Sequence, residues 1–170
     1  MHYYKFIIKA LNFLDYFQQK KIIKLINNKF PRPIVVFDVG AHFGETIKLF
    51  LNKTNLKKIY SFEASPQNFK TLKQDISNKK IANVEIHNLG IGDKIEKNYI
   101  NQTVESSSST MHKLNNTSKY LERKLKILNI KDKDNFQQKI PVQLITLDYF
   151  IEQNNIKQID LLKIDTEGYE

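Results

Sequence analysis

The chain of 170 residues contains no cysteine. This excludes disulfide bonds, thiolate catalysis and cysteine-ligated metal sites, and it fits a reducing compartment. The chain also lacks any apolar run that approaches the roughly 20 residues of a membrane span, and its first residues lack the apolar core of a signal peptide. We therefore expect a cytoplasmic protein that folds as one domain with a hydrophobic core.

Arginine is scarce as well, although the chain is basic. There are 27 Lys and Arg residues against 18 Asp and Glu residues, a balance that invites a nucleic-acid partner. However, arginine occurs only at positions 32 and 123, and the lysines are scattered instead of forming a stripe interleaved with aromatic side chains. We therefore expect no nucleic-acid partner.

The segment with the clearest chemical meaning is VVFDVGAHFG at Val35–Gly44. An apolar strand leads into a glycine loop, and the loop leads into a helical pattern. Such an arrangement places backbone N–H groups and the positive end of a helix at the carboxyl edge of a sheet, where nucleotides and cofactors bind. We expect these N–H groups to be free for a ligand.

Asp38 distinguishes this loop from a dinucleotide fingerprint, which reads G-x-G-x-x-G. The acid stands two residues before Gly40, and the next glycine is Gly44. A carboxylate at this position would repel a pyrophosphate but would suit a cationic ligand. S-Adenosylmethionine (SAM) carries an ammonium and a sulfonium and no phosphate, so we interpret the loop as a SAM site. The same features disfavour an NAD-type oxidoreductase.

An acidic residue at the end of the second predicted strand supports a cofactor site. The strand Lys58–Phe62 is followed by Glu63, about 20 residues past the glycines, where a carboxylate accepts hydrogen bonds from a ribose diol. Ala64 then offers a small surface, and Ser65 is a cap for a predicted helix Pro66–Ile76. The residues expected to face inward from this helix are Phe69, Leu72 and Ile76.

Five segments follow one another along the chain: VFDVGAHFGE, IYSFEASPQN, VEIHNLGIGD, ITLDYF and IDLLKIDTEGYE. In this order they resemble the FkbM-type SAM-dependent methyltransferases, from about Pro33 to Glu170. The closing DLLKIDTEGYE is the most specific part. The resemblance implies the α/β fold of class I methyltransferases, a doubly wound, mainly parallel Rossmann-like sheet with SAM across its carboxyl edge. It also implies O-methylation of a sugar or small-molecule hydroxyl.

The resemblance also assigns parts of the cofactor to parts of the chain. It implies that the glycine loop lines the methionine end of SAM, that Glu63 takes the ribose, and that the turn Asn88–Asp93 flanks the adenine. Gly90 stands where the family usually has a larger small residue. The predicted cofactor-binding residues are Asp38, Gly40, Ala41, Gly44, Glu63, Ala64, Asn88, Gly90 and Asp93.

Three roles are open for the carboxylates at the end of the fourth predicted parallel strand, Ile159–Ile164. Because side chains alternate along a strand, Lys163, Asp165 and Glu167 share one side, and Asp165 is expected to emerge at the carboxyl edge beside the glycine loop. One carboxylate could be the general base for an acceptor hydroxyl, both could bind Mg²⁺, or Asp165 could cap the next helix. The metal has the least support, so no metal ligand is predicted. His42 is a further candidate base.

The remaining chain is divided by its patterning. Residues 1–32 are predicted to form amphipathic helices that cap the sheet and the cofactor, with peripheral contact to an anionic membrane as the alternative. Residues 33–170 form the SAM-binding domain, within which 101–138 is an insertion or lid that shapes acceptor specificity. The elements expected between Glu63 and the last strand are strands at Val84–Leu89, Glu96–Ile100 (pairing back on the third strand) and Ile140–Leu144, a helix at Leu114–Ile130 and a short helix at Thr146–Gln153.

The chain reaches Glu170 where a helix should follow the fourth strand, and the resembled family continues with further strands. We therefore expect a truncated chain whose fourth strand is an uncovered parallel edge rich in Leu and Ile. Such edges recruit partners, which makes a homo-oligomer an expected possibility. The alternative function is a non-catalytic SAM-binding or interaction module. The sequence predicts a small-molecule or glycan acceptor without identifying it.

Overall fold

The structure is a computed structural model that describes residues 19–77, 81–103, 109–110 and 137–166. Several predicted features lie outside these residues, and their predictions stay predictions. They are residues 1–18 of the N-terminal helices, residues 104–108 and 111–136 of the predicted insertion, which include the helix Leu114–Ile130, and Glu167.

The described residues form four helices and eight strands. The helices are α1 (residues 19–29), α2 (Glu45–Lys53), α3 (Pro66–Ser77) and α4 (Leu147–Gln153). The strands are β1 (Ile34–Val39), β2 (Leu56–Phe62), β3 (Val84–His87), β4 (Gly90–Ile91), β5 (Glu96–Thr103), β6 (Ser109–Thr110), β7 (Gln137–Ile145) and β8 (Leu161–Ile164).

The first sheet has the order β3-β2-β1-β8, and every described pairing in it is parallel. Side chains of β1 alternate between two apolar clusters, one on each face. Val36 packs with residues of α1, α2 and α3, whereas Phe37 packs with Phe150 of α4. A parallel sheet that is covered by helices on both faces is the Rossmann-like α/β arrangement, so the predicted fold class is confirmed.

A second sheet, of order β4-β7-β5-β6, was not predicted. β5 pairs antiparallel with β7 from Glu96↔Leu144 to Thr103↔Gln137, so the prediction that it pairs back on the third strand is wrong. The predicted third strand also ends early, at His87. The chain leaves the first sheet at Asn88, whose side-chain amide donates to the carbonyl oxygens of Glu63 and Ala64 at 2.8 and 3.1 Å.

Two helices show how far apolar spacing predicts burial. In α1, Ile23 and Ile26 join the core below β1, but Ile22 and Leu25 are exposed, so the buried stripe is narrower than the apolar pattern. In α3, Leu72 and Ile76 are buried as predicted, and the third buried residue is Asn68 instead of Phe69. Within the described residues, no helix is both long and apolar enough to cross a membrane.

Candidate cofactor-binding site

The carboxyl ends of β1, β2 and β8 meet around residues 40–44, which we call the glycine loop. Gly40 and Gly44 have φ angles of 79° and 83°, a left-handed conformation that favours glycine. A Cβ atom on Gly40 would lie 1.9 Å from the backbone oxygen of Asp165, so the loop passes directly against the end of β8. The glycine loop therefore lies against Asp165, as predicted.

Four of the five backbone N–H groups of the glycine loop already have acceptors, so the expectation that they are free is wrong for these four. Gly40 and Ala41 both donate to the carbonyl oxygen of Phe62 at 2.9 Å, and Gly44 donates to Ala41 at 2.8 Å. The N–H of His42 donates to Glu63 Oε2 at 2.8 Å. The last carbonyl of the neighbouring strand β2 and the Glu63 carboxylate that follows it accept hydrogen bonds from the loop. The donors that an anion would need are therefore already occupied.

Glu63 lies at the tip of β2, as predicted, and its carboxylate is turned inward. Oε1 accepts from Ser65 N at 2.9 Å, while Oε2 accepts from the N–H of His42. Burial raises the pKa of Glu63, and these two backbone hydrogen bonds oppose that rise. Each carboxylate oxygen can accept a second hydrogen bond, so the predicted ribose contact stays a prediction.

Asp38 is fully buried and occupies the middle of a row of polar side chains across the sheet. The parallel register pairs it with Ser61 of β2 and with Lys163 of β8. The Lys163 ammonium lies 3.1 Å from Asp38 Oδ1, and the Ser61 hydroxyl donates to Oδ2 at 3.4 Å. The carboxylate therefore lies beneath the loop and faces a lysine, whereas the sequence predicted a carboxylate that would face a cationic ligand.

Burial raises the pKa of Asp38 to about 6. The charge of Lys163 and the hydrogen bonds from Lys163 and Ser61 lower this pKa, but they do not outweigh the effect of burial. The charge of Asp165 adds to the rise. The buried carboxylate is therefore ionised at neutral pH, and it becomes protonated in mild acid.

The three predicted catalytic residues differ in what the structure shows of them. Asp165 is the most open, with 70% of its side chain exposed, and its Oδ2 lies 3.6 Å from Lys163 Nζ. His42 is half-buried in the loop, with Nδ1 3.4 Å from Glu45 Oε1. Glu167 lies outside the described residues. The described part of the chain contains no cluster of three or more His, Cys, Asp or Glu side chains that could hold a metal ion.

The residues predicted to flank the adenine do not form one turn. Asn88 holds the backbone after β2, as described above, and Ala64 is one of its acceptors. Gly90 is buried in β4, where it pairs with Leu144, while Asp93 is exposed beyond that strand. Their predicted contact with a cofactor remains untested.

A buried polar cluster beside Glu63 escaped the sequence analysis. Ser65 caps α3 as predicted, because its hydroxyl accepts from Asn68 N at 3.2 Å. The same hydroxyl donates to Gln102 Oε1 at 2.7 Å, and Gln102 Nε2 lies 3.4 Å from Asn68 Oδ1. Gln102 belongs to β5, so this cluster joins the second sheet to the edge of the first. Only the position of Gln102 on the same face of β5 as Ile100 could have indicated that its side chain is buried.

The parallel sheet, the glycine loop after its central strand and the acid after the next strand together define the Rossmann-like fold of class I methyltransferases. Within that class, residues 38–170 match the family model of the methyltransferase FkbM domain. The chain belongs to this family, which confirms the resemblance found in its sequence.

Individual relatives are distant. The chain is 23% identical over 144 residues to Methyltransferase 1 of Beauveria bassiana (strain ARSEF 2860), covering 83% of this chain and 57% of that protein. Among solved structures, methyltransferase FkbM from Methylobacillus flagellatus KT aligns with a TM-score of 0.47 and 13% identity, over 80% of this chain and 26% of its own. A ribosomal protein L11 methylase from Lactobacillus delbrueckii subsp. bulgaricus aligns with a TM-score of 0.34 and 15% identity, over 44% and 45%. The chain thus spans little more than half of its curated relative.

The two glycines of the loop give a matched pair of substitutions. Gly40→Ala would push a methyl group into the Asp165 carbonyl, whereas Gly44→Ala would meet the end of the Leu72 side chain, 2.7 Å away. Each substitution should lower the free energy of unfolding by about 1–2 kcal/mol, because alanine disfavours a left-handed conformation. Gly40→Ala also forces two backbone segments apart, which Gly44→Ala does not. We expect urea unfolding to show a loss above roughly 3 kcal/mol for Gly40→Ala and clearly less for Gly44→Ala. Equal losses would contradict the close approach of the loop to β8.

Asp38 should make the stability of the chain depend on pH. Because its pKa is raised to about 6 by burial, the folded chain binds more protons than the unfolded chain between roughly pH 4 and 6. The free energy of unfolding should therefore fall as pH rises through this window, by on the order of 2–3 kcal/mol from this group. Glu63, also with a raised pKa, acts in the same direction.

Asp38→Asn isolates the contribution of Asp38, since the amide does not titrate. We expect urea unfolding at several pH values from 4.5 to 7.5 to show that the difference in unfolding free energy between the two proteins changes with pH across this window. Parallel curves would show that Asp38 does not titrate there.

Proposed function

We propose that this chain binds SAM in the crevice at the carboxyl edge of the first sheet and transfers its methyl group to a hydroxyl of a sugar or another small molecule. The observation that carries the proposal is the state of the glycine loop. Its N–H groups at Gly40, Ala41 and His42 already have acceptors, so it has no nest for a pyrophosphate. A cofactor without phosphate suits this loop better than a dinucleotide does.

The residues at this edge fit the charges of SAM. Asp38, Glu63 and Asp165 are three carboxylates near the loop, with Lys163 between two of them. Glu63 retains acceptor capacity for a ribose diol. Gly40 and Gly44 keep side chains out of the loop at positions where a Cβ atom would meet neighbouring atoms. Bound SAM would supply an electrophilic methyl group on a sulfonium.

The chain's own contribution to methyl transfer is alignment and handling of one proton. The acceptor oxygen must approach the methyl carbon in line with the departing sulfur, so a rigid loop that fixes the donor supplies much of the rate. A hydroxyl nucleophile must also lose its proton. Asp165, exposed at the end of β8 against the loop, is a described carboxylate that is open to an acceptor. The hydroxyl acceptor itself follows from the family resemblance.

Calorimetric titration of the 170-residue chain with SAM tests the cofactor proposal. We expect binding within the range of about 1 μM to 1 mM that enzymes show for their substrates, and no heat with NADH as the matched phosphate-bearing ligand. Binding of NADH in place of SAM, or no heat with millimolar SAM, would reject it. Transfer of a radiolabelled methyl group from SAM to a fractionated cell extract would then identify the acceptor class.

Asp165→Asn tests the proton acceptor with the fraction that takes the label. If Asp165 is the base, the turnover rate should fall by about 10²–10⁴-fold, while SAM affinity should change little because the amide keeps the shape of the side chain. His42→Gln is the comparison, since it removes the other candidate base and keeps the N–H that binds Glu63. Loss of turnover in His42→Gln alone would assign the role to His42, and inhibition by a chelator would point to a metal instead.

A further inference from the structure

Lys163 is the described side chain that joins β8 to the interior of the glycine loop. Its ammonium donates to the carbonyl oxygen of Gly40 at 2.9 Å. The same nitrogen lies 3.1 Å from Asp38 Oδ1 and 3.6 Å from Asp165 Oδ2. The ammonium therefore donates a hydrogen bond to Gly40 and forms ion pairs with two carboxylates.

This ion pair differs from one on a protein surface. Asp38 is fully buried, and 26% of the Lys163 side chain is exposed. A buried carboxylate without a cation is strongly destabilising, so the structure depends on the lysine being in place. The β1–β8 register puts Lys163 directly beside Asp38, which means that the contact does not require an extended reach.

Two sets of contacts hold the glycine loop, one to its N–H groups and one to the carbonyl oxygen of Gly40. β2 and Glu63 take the N–H groups of Gly40, Ala41 and His42, which fixes one edge of the loop. Lys163 takes the carbonyl of Gly40, which fixes the peptide plane between Gly40 and Ala41 from the opposite side. Gly40 has a positive φ, and without a side chain it is free to adopt other conformations when that carbonyl is released.

We propose that Lys163 is a positioning residue of the SAM site, which holds the Gly40 carbonyl and the Asp38 carboxylate together so that the glycine loop keeps its binding conformation. The proposal rests on the proposed function, because it concerns the site assigned there to SAM. Lys163 acts through the loop and need not touch the ligand.

The sign of the effect separates this role from a purely electrostatic one. A lysine near a cationic ligand repels it, so removing the charge alone would strengthen SAM binding. Removing the loop's anchor would weaken it. Lys163→Gln removes the charge and shortens the side chain, and we expect it to weaken SAM binding by about tenfold or more, the loss of a charged hydrogen bond.

Two further variants complete the design. Lys163→Arg keeps the charge, but a planar guanidinium cannot place its donors at three acceptors grouped around one atom, so we expect a loss of about threefold. Lys58→Gln is the matched control, because Lys58 also lies on a strand, is 31% exposed and pairs with Glu85 at 2.9 Å, away from the loop. It should leave SAM affinity within about twofold.

Hydrogen exchange of a peptide that covers residues 38–44 gives a second readout, which needs no ligand. Exchange should be faster in both Lys163 variants than in the wild type, and unchanged in Lys58→Gln. Lys163→Arg decides the question if Lys163→Gln does not fold. Unchanged exchange and unchanged or tighter SAM binding in the folded Lys163 variants would overturn the proposal. Absence of SAM binding in the wild type would reject the proposed function, and hydrogen exchange would still show whether Lys163 holds the loop.

Discussion

The pairing of Asp38 with Lys163 is the interaction on which the rest of the site depends. A carboxylate in the central strand of a covered parallel sheet has no access to water, and burying it without a partner is costly. Only one register of β8 against β1 supplies the partner, and that register also brings the end of β8 against Gly40. One buried charge pair therefore fixes the strand alignment, the path of the loop and the place of Asp165.

A loop held in this way presents a different surface from a phosphate cradle. Four of its five N–H groups donate to Phe62, Glu63 and Ala41, so the groups that remain near a ligand are mainly side-chain acceptors. For this physical reason, the same strand–loop–helix arrangement can bind two kinds of ligand. Where the loop's N–H groups are free, an anion binds them, and where β2 takes them, a ligand that brings its own donors and positive charge is favoured.

The sequence predicted those parts of the fold whose signals are local. β1, β2 and α4 follow from apolar runs, and the cap Ser65 is where a capping residue was expected. Thr146, predicted as the first residue of a helix, is the N-cap of α4. The second sheet was missed because β5 and β7 pair across about 40 residues, and short alternating strands do not reveal their partners. The occupied loop donors and the Asp38–Lys163 contact were missed for the same reason. Alternation placed Lys163 on the side of Asp165, but its partner depends on the register of another strand.

Local charge, more than total charge, decides what this edge attracts. The chain carries a formal net charge of +9, which alone would disfavour a cationic ligand. Charges farther away than about 8 Å are largely screened at physiological salt, whereas groups within the crevice act at short range and low dielectric. There, the carboxylates of Asp38, Glu63 and Asp165 outnumber the ammonium groups of Lys163 and Lys48 among the described groups. Above the pKa of Asp38, near 6, the balance at the loop is negative. A basic composition and an anionic sheet edge are therefore compatible, because charges beyond the screening length add little to the potential at the loop.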